Sequence, residues 1–283
     1  MAMKQVFERV FIIIFENKSE QAVMDNAFMK GLAAKGVRLS NYFGVTHPSQ
    51  PNYIAATAGL PLITDDNKYD IDSPNIVDLL EAKGVSWRAY MENLPEKNKT
   101  IHISEDRLYF RKHNPFVSFN NIRNNPQRLA NIVNAKHLEE DIKNNALPRY
   151  CWYTPNIQND GHSPPDDFQP TNPLNRVNFI AQYLERFLLP LLAVPAFMKG
   201  TLVVVTFDES IPHAKNHIYT VLLGGMVQAN TVQSEIYNHY SLLRTIEENF
   251  SLGTLERNDL NADFFGFLWG LEPPAFDWKE HSQ

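Results

Sequence analysis

Two segments of the chain are mainly apolar runs of strand length, and each ends in a pair of oxygen-bearing side chains. Residues 10–15 are followed by Glu16 and Asn17, and residues 202–207 are followed by Asp208 and Glu209. A run that is apolar on both faces is typical of a strand in a parallel sheet covered by helices on both sides. Because ligands of such sheets bind at the carboxyl ends of the strands, we expect the two pairs to meet at one sheet edge. Their oxygen atoms suit a divalent cation, although the same residue types also serve as helix caps and turn residues.

The rest of the chain alternates between strand-like and helix-like segments. Strand-like runs cover residues 9–15, 37–45, 86–91, 150–154, 202–207 and 218–224, and helical periodicity covers residues 75–83, 126–144, 173–192 and 240–250. This alternation predicts an α/β fold, a three-layer α/β/α sandwich around a mostly parallel central sheet. With 283 residues and no internal repeat or low-complexity linker, the chain is expected to form a single domain over residues 1–283. The polar stretch 93–125 is expected to be a lid or an insertion beside the strand ends.

Composition argues against several classes of protein. The formal net charge is −6 and no run of Lys or Arg exceeds two residues, so nucleic-acid binding through a basic surface is not expected. The single cysteine, Cys151, excludes an intramolecular disulfide and a cysteine-only metal site. No stretch reaches the ~20 apolar residues of a transmembrane helix, and no cleavable signal sequence follows the first apolar run. We therefore expect a cytoplasmic protein, or a secreted one whose leader is absent from this sequence; the oligomeric state is not predicted.

A serine lies at the junction of a predicted strand and a predicted helix. The run 37–45 is followed by His47, Pro48 and Ser49, and Pro51 suits the first turn of a helix. Ser49 would then lie at a helix N-terminus, where free N–H groups and the helix dipole favour a phosphate or a developing alkoxide. Taken alone, Ser49 could equally be an N-cap and His47 a hydrogen-bonded loop residue.

Histidines and a further carboxylate adjoin other strand boundaries. Asp160 and His162 follow the run 150–154 and offer a carboxylate and an imidazole, a mixed set suited to zinc or another transition ion. His217 directly precedes the run 218–224 and is expected to point into the same region. An Asx turn would also account for the Asp160 and His162 pair. None of these features alone indicates a particular protein family, but their order along the chain does.

That order resembles the alkaline phosphatase superfamily. More closely, the chain is similar to the phosphoesterase family of acid phosphatases and phosphatidylcholine-type phospholipases C. The matching segments are Glu-Asn-Lys-Ser at 16–19, His-Pro-Ser-Gln-Pro-Asn-Tyr at 47–53, Tyr-Met-Glu-Asn-Leu-Pro at 90–95, Arg-Lys-His-Asn-Pro-Phe at 111–116, Thr-Pro-Asn-Ile-Gln-Asn-Asp-Gly-His at 154–162, Thr-Phe-Asp-Glu-Ser at 206–210, Asn-His at 216–217 and His-Tyr-Ser-Leu-Leu-Arg-Thr-Ile-Glu at 239–247. The segment 111–116 looks more like the acid phosphatases than the phospholipases.

The chain departs from the family pattern at two places. Many relatives read Asn-Arg-Ser-Phe-Asp after the first acid, whereas this chain has Lys18 and Glu20 in that segment. Many relatives also read Asn-Asp-Met-His-Asp, whereas this chain has Gly161 and Ser163 in the segment 159–163. Neither departure removes an expected ligand, but both are expected to reshape the rim of the pocket. Lys18 is expected to be solvated.

The resemblance implies an alkaline-phosphatase-like fold, a phosphoesterase domain and a role for each candidate residue. Ser49 would be the nucleophile that takes the phosphoryl group. The implied metal ligands are Glu16, Asn17, Ser49, Asp208 and Glu209. The implied opposite half of the site consists of Asp160, His162 and His217, with Ser49, His162 and His217 as catalytic residues. The implied substrate-binding residues are His47, His113 and Asp160. The opposite half holds a second ion in some relatives, and in others it binds the phosphate or protonates the leaving group.

The predicted activity is that of a metal-dependent phosphomonoesterase acting on a small phosphate ester. Arg111 and Lys112 beside His113 favour a dianionic monoester, whereas a phospholipase C or another phosphodiesterase using the same site is the alternative. One or two divalent ions are expected, among Mg²⁺, Ca²⁺, Mn²⁺ and Zn²⁺. A non-catalytic metal- or phosphate-binding module is disfavoured because every expected ligand type is present. A sulfatase is disfavoured because no arginine follows the Ser-Gln-Pro sequence at 49–51.

Overall fold

The computed structural model describes residues 4–165, 173–211 and 215–270, and the strands of these ranges form one sheet. The strands are β1 (Arg9–Phe15), β2 (Val37–Phe43), β3 (Trp87–Met91), β4 (Ile132–Asn134), β5 (Tyr150–Thr154), β6 (Thr201–Phe207), β7 (Val221–Leu223) and β8 (Thr231–Asn238). Their order across the sheet is β4-β3-β5-β1-β6-β7-β2-β8. Neighbouring strands are parallel except at β7, which is antiparallel to both β6 and β2.

Strands β1 and β6 lie side by side in the middle of the sheet, in register from Arg9 opposite Thr201 to Phe15 opposite Phe207. Every residue of β6 is buried, and so is every residue of β1 after Arg9. The prediction that these runs are buried on both faces is confirmed. Because the two strands end at paired residues, the polar residues that follow them lie next to each other at the carboxyl edge of the sheet.

Helices cover both faces of the sheet. They are α1 (Glu20–Met24), α2 (Ala27–Ala34), α3 (Ser49–Ala58), α4 (Ile76–Ala82), α5 (Asn120–Arg123), α6 (Pro126–Ala130), α7 (His137–Lys143), α8 (Pro173–Leu192), α9 (Pro195–Met198) and α10 (His239–Phe250). Tyr153 of β5 faces α8, where its ring centroid lies 4.4 Å from that of Phe187. The preceding residue, Trp152, faces the other side, with its ring 6.4 Å from Tyr53 of α3. Since successive side chains of a strand point to opposite faces, α8 and α3 lie in different layers, as the predicted sandwich requires.

Most predicted elements are present, but one predicted helix is wrong. Residues 126–144 are not one helix: α6 ends at Ala130, β4 follows, and α7 begins at His137. Ile132 and Val133 instead pair in parallel with β3 and are buried there, so the burial of two β-branched side chains outweighs the helical periodicity. The edge strand β8 was not expected, because its side chains alternate between half-buried and exposed positions and include several polar residues.

The segment 93–125 lies partly in the core. It contains two short 3₁₀-helices, Arg111–His113 and Phe116–Ser118, followed by α5. Phe116 is fully buried, with its ring 5.6 Å from that of Trp87. This half of the segment is therefore fixed against the sheet, while the lid stays a prediction. Within the described ranges, no helix combines the length and the apolar character needed to span a membrane.

Helix α10 packs on α3 and carries a buried acid, Glu247, that is 1% exposed. No donor among the described residues hydrogen bonds either carboxylate oxygen of Glu247. Burial raises the pKa of Glu247 to about 9, and the neighbouring Asp259 carboxylate contributes to the increase. The layer that supports α3 therefore contains a carboxyl group that stays protonated in the folded protein at neutral pH.

We expect Glu247→Gln to flatten the pH dependence of stability. Between the ordinary pKa of 4.5 and the folded-state value of about 9, the folded protein keeps a proton that the unfolded chain releases. The free energy of unfolding therefore falls as pH rises, by up to about 1.4 kcal/mol per pH unit. Urea unfolding across this window should show a shallower fall for the variant, with higher stability than the parent at the alkaline end. The exposed Glu256→Gln serves as the control, and parallel curves for parent and Glu247→Gln would contradict the assignment.

Candidate functional site

The polar pairs that follow β1 and β6 meet at the carboxyl edge of the sheet, as predicted. The Asp208 N–H donates to the Phe15 carbonyl at 2.9 Å, which continues the ladder past the last strand pair. Asn17 then turns back in a left-handed conformation (φ 56°), which asparagine tolerates better than most residues. Its backbone N–H donates to Asp208 Oδ1 at 2.9 Å. One backbone turn thus joins the two pairs, and their side chains form a single cluster.

Ser49 is buried at the first position of α3, and its hydroxyl faces that cluster. Its Oγ lies 2.9 Å from Glu16 Oε2, 3.0 Å from Glu209 Oε1 and 3.2 Å from Asn17 Nδ2. Pro48, not Ser49, occupies the N-cap, and no side chain caps the helix there. The N-cap interpretation of Ser49 is therefore wrong. The structure brings the serine and the two acidic pairs together, although more than thirty residues separate β1 from α3 in sequence and far more separate α3 from β6.

Two imidazoles and a third acid lie on the other side of Glu16. His113 Nε2 is 3.1 Å from Glu16 Oε1, and its Nδ1 is 3.0 Å from Asp160 Oδ2. His162 Nδ1 is 3.2 Å from Glu16 Oε2. Ligand atoms of Glu16, His113 and His162 all lie within 4.8 Å of one another. Asp160 is held in place because its carbonyl accepts the Glu16 N–H at 3.0 Å and its Oδ1 accepts the His162 N–H at 2.8 Å.

The remaining predicted histidines lie in different places. His47 Nδ1 pairs with Glu209 Oε2, so His47 adjoins the cluster at a more exposed point. His217 does not join it: its Nε2 bonds the Ser40 carbonyl at 2.7 Å, and its ring lies against Phe43. The neighbouring Asn216 links the loops after β2 and β6 instead, since its Nδ2 donates to the Thr46 carbonyl and its Oδ1 accepts the Ser210 N–H. The opposite half of the cluster is therefore built from His113, Asp160 and His162, and a catalytic role of His217 stays a prediction.

Four acidic side chains of the cluster, Glu16, Asp160, Asp208 and Glu209, are buried close together. Burial raises the pKa of Asp208 well above its usual range, and the nearby Glu16 and Glu209 carboxylates raise it further. Burial likewise raises the pKa of Asp160 and of Glu209. Burial opposes the ionisation of Glu16 too, but His113 and His162 outweigh it and hold the Glu16 pKa below its usual range. Asp208 Oδ2 is buried and receives no hydrogen bond from the described residues. Such a group of carboxylates has the chemistry of a cation site.

The contacts of two side chains, Tyr53 and Lys18, could not be found from the sequence. The Tyr53 hydroxyl donates to Glu16 Oε1 at 2.7 Å, and its ring stacks on His113 with centroids 5.5 Å apart. Lys18, which was expected to be solvated, is 5% exposed, and its Nζ donates to the carbonyls of Glu16 at 3.0 Å and Gly161 at 3.1 Å. Burial, followed by the charge of Arg176, lowers the pKa of Lys18 to about 8. Lys18 thus ties the end of β1 to the loop that carries Asp160.

Glu92 supports that loop from the side of β3. Its Oε2 accepts the Asn156 N–H and the Asn159 Nδ2 amide, both at 2.8 Å. Its Oε1 accepts the Tyr183 hydroxyl of α8 at 3.0 Å. This network ties the loop after β5 to β3 and α8, although Glu92 does not contact Ser49.

The basic residues next to His113 have different roles. Arg111 is 1% exposed and its Nη2 donates to the Tyr69 carbonyl at 2.6 Å, to Asp70 Oδ1 at 2.9 Å and to the Val117 carbonyl at 3.3 Å. It therefore fixes the 3₁₀-helix that carries His113 and does not face the cluster. Lys112 donates to Asp66 Oδ2 at 3.0 Å instead. Burial lowers the Lys112 pKa, but the Glu16 and Asp66 carboxylates raise it by more, so the ammonium group stays charged.

The sequence profile of the Phosphoesterase family matches residues 19–253. The chain belongs to this family. It is 38% identical over 273 residues to a probable acid phosphatase of Kluyveromyces lactis, covering 91% of this chain and 61% of that protein. It is 34% identical over 272 residues to an acid phosphatase of Aspergillus fumigatus, covering 91% of this chain and 58% of that protein. The chain thus spans about three fifths of these relatives. It is also 31% identical over 255 residues to a phosphatidylinositol-3-phosphatase of Mycobacterium tuberculosis, covering 87% of this chain and 78% of that protein.

Solved structures with the same fold include a member of the alkaline phosphatase superfamily and a phosphonate monoester hydrolase. A Vibrio parahaemolyticus protein of that superfamily matches with a TM-score of 0.62 and 14% identity, covering 92% of this chain and 71% of that one. The phosphonate monoester hydrolase of Agrobacterium radiobacter matches with a TM-score of 0.64 and 12% identity, covering 95% of this chain and 79% of that one. At these identities the likeness concerns the fold alone, and it confirms the predicted alkaline-phosphatase-like fold.

We expect Arg111→Met to destabilise the fold rather than to weaken substrate binding directly. The substitution removes a buried charge whose guanidinium joins three acceptors, so the free energy of unfolding should fall by about 3 kcal/mol. Denaturant unfolding measures this loss. Arg123→Met is the control, because Arg123 shares the Asp70 partner but is more exposed, and its loss should cost less. Unchanged stability together with a raised KM would show that Arg111 binds phosphate.

Proposed function

We propose that this chain is a metal-dependent phosphomonoesterase that carries the phosphoryl group on Ser49. One observation carries the proposal: a buried serine hydroxyl at the start of a ten-residue helix lies 2.9 and 3.0 Å from two carboxylates. The helix dipole at an N-terminus favours an anion, and an adjacent carboxylate can take the proton of a serine nucleophile. The named acid phosphatase relatives support the same class of substrate.

A divalent ion fits the residues around Ser49. Glu16, Asp208, Glu209 and Ser49 would hold it through the oxygen ligands that Mg²⁺, Ca²⁺ and Mn²⁺ prefer. Asn17 would join them with its amide turned over, because its Nδ2 atom now faces Glu16 and Ser49. The unbonded, buried Asp208 Oδ2 is an atom that such an ion would satisfy. Glu16, His113 and His162 offer a second, mixed set that suits zinc. When bound, a divalent ion supplies positive charge that favours the alkoxide form of a neighbouring hydroxyl.

The chain's own residues account for each proton of the proposed reaction. Ser49 Oγ attacks phosphorus, and its proton passes to Glu209 Oε1, 3.0 Å away. The bond from phosphorus to the leaving oxygen breaks, and His162, whose side chain is 33% exposed, gives that oxygen a proton. Water then attacks phosphorus from the side that the leaving group has vacated, opposite Ser49, and His162 accepts its proton. The bond from phosphorus to Ser49 Oγ breaks, and Glu209 returns its proton to that oxygen. Two in-line displacements give net retention at phosphorus.

The geometry also supports positioning roles for three other side chains. Tyr53 and His113 fix the Glu16 carboxylate, so that its other oxygen stays beside Ser49. Lys18 holds the loop of Asp160 and His162 at a fixed distance from β1. Positioning of this kind contributes strongly to phosphoryl transfer, because the reaction needs little covalent help beyond placement and charge stabilisation.

Replacing the proposed nucleophile should abolish turnover without unfolding the protein. For Ser49→Ala we expect kcat for p-nitrophenyl phosphate to fall by several orders of magnitude, up to ~10⁶, with an unchanged circular dichroism spectrum. Ser118→Ala is the matched control, because Ser118 is also a buried serine but its hydroxyl makes no hydrogen bond to the described residues. Activity of Ser49→Ala close to that of the parent would refute the proposed role.

Removing the metal should also remove the activity. Exhaustive chelation should abolish turnover, and one or more divalent ions should restore it, because the buried carboxylates need a compensating charge. Asp208→Asn should lower the metal content measured by elemental analysis. Asp141→Asn is the control, since Asp141 is a buried aspartate that pairs with Arg88 and Tyr90 away from the cluster. Full activity of protein that contains no measurable metal would rule out metal dependence.

A further inference from the structure

We propose that Asp66 positions Lys112 against the phosphate of the substrate and thereby favours monoester dianions over diesters. This inference rests on the proposed phosphomonoesterase function, and it assigns a role to Asp66, which lies in none of the matching motif segments. Asp66 lies in the loop between α3 and α4, outside every strand and helix, and its side chain is 31% exposed.

Asp66 connects the two elements that flank the nucleophile and His113. Its Oδ1 accepts the backbone N–H of Gln50 at 2.9 Å, and Gln50 directly follows Ser49 in the first turn of α3. Its Oδ2 accepts the Lys112 ammonium at 3.0 Å, and Lys112 directly precedes His113. A single carboxylate therefore fixes the distance between the nucleophile's helix and the 3₁₀-helix that carries His113.

The contact with Asp66 orients the Lys112 ammonium group but uses only one of its N–H donors. Its side chain is 14% exposed, and Asp66 links it to the Gln50 N–H next to Ser49, so the group lies at the edge of the site. An ammonium group carries three N–H donors, and among the described residues only Asp66 accepts one of them. Two donors thus stay available beside the carboxylate cluster, where the oxygens of a bound phosphate would accept them.

The preference for monoesters follows from charge. A monoester dianion carries one more negative charge than a diester, so a fixed ammonium group stabilises the dianion more strongly. A lysine ammonium group is a point charge at the end of a flexible side chain, so its attraction for a phosphate depends on a contact that fixes its position. Asp66 supplies that restraint, and because one oxygen is also bonded to the Gln50 amide, Lys112 keeps its place relative to Ser49.

A double-mutant cycle tests the coupling. The variants are Lys112→Met, Asp66→Asn and the combination of both, with Asp65→Asn and Lys68→Met from the same loop as controls. The readouts are kcat and KM for p-nitrophenyl phosphate and for bis-p-nitrophenyl phosphate, and the Kd of inorganic phosphate by calorimetry. We expect Lys112→Met to raise the phosphate Kd and the monoester KM about tenfold or more, with a smaller effect on the diester.

Asp66→Asn should raise the same constants less, about threefold, and should add almost nothing in the Lys112→Met background, because Asp66 acts through Lys112. The controls should leave all of these constants unchanged. Equal effects on monoester and diester, or independent effects of the two substitutions, would overturn the inference and leave Asp66 with a purely structural role. Absence of turnover in the parent protein would refute the proposed function instead, while the coupled loss of phosphate binding would still support the positioning role.

Discussion

The site depends on the alignment of two adjacent buried strands. β1 and β6 pair in register along their whole length, and the hydrogen bond from the Asp208 N–H to the Phe15 carbonyl extends the pairing by one residue. That bond fixes Glu16 and Asp208 side by side at the sheet edge. A slip of one residue would turn these side chains to opposite faces, because strand side chains alternate. The register of β1 and β6 therefore sets the position of the acids.

Placing several carboxylates in a buried cluster has an electrostatic cost, and much of the surrounding structure offsets it. His113 Nε2 and His162 Nδ1 lie 3.1 and 3.2 Å from the Glu16 carboxylate, Tyr53 donates to it, and the charge of Lys112 also acts on it. Lys18 instead binds carbonyl groups beside the cluster. These groups do not reach every oxygen, since the buried Asp208 Oδ2 has no partner among the described residues. The proposed divalent ion would supply the charge that the protein does not.

The sequence predicted the central part of this arrangement better than its periphery. β1 and β6 were recognisable because strands buried on both faces are apolar throughout, and Ser49 was recognisable because Pro51 marks the first turn of α3. The contacts of Tyr53, Lys18 and Asp66 depend on segments that meet only in the folded chain, so no local pattern reveals them. The predicted helix 126–144 failed because tertiary pairing of β4 overrode periodicity. His217 was expected in the cluster for its place before a strand, yet its side chain bonds the Ser40 carbonyl.

A phosphorylated serine in the first turn of α3 is the central claim, and trapping it tests that claim most directly. The metal-replete protein would be mixed with p-nitrophenyl phosphate, quenched in acid within the first turnover, digested and analysed by tandem mass spectrometry. The account predicts one added phosphoryl group, located on Ser49, that disappears when the quench is delayed until the substrate is consumed. Turnover with a phosphoryl group on another residue, or with none on Ser49 under conditions that trap a known phosphoserine enzyme, would contradict it.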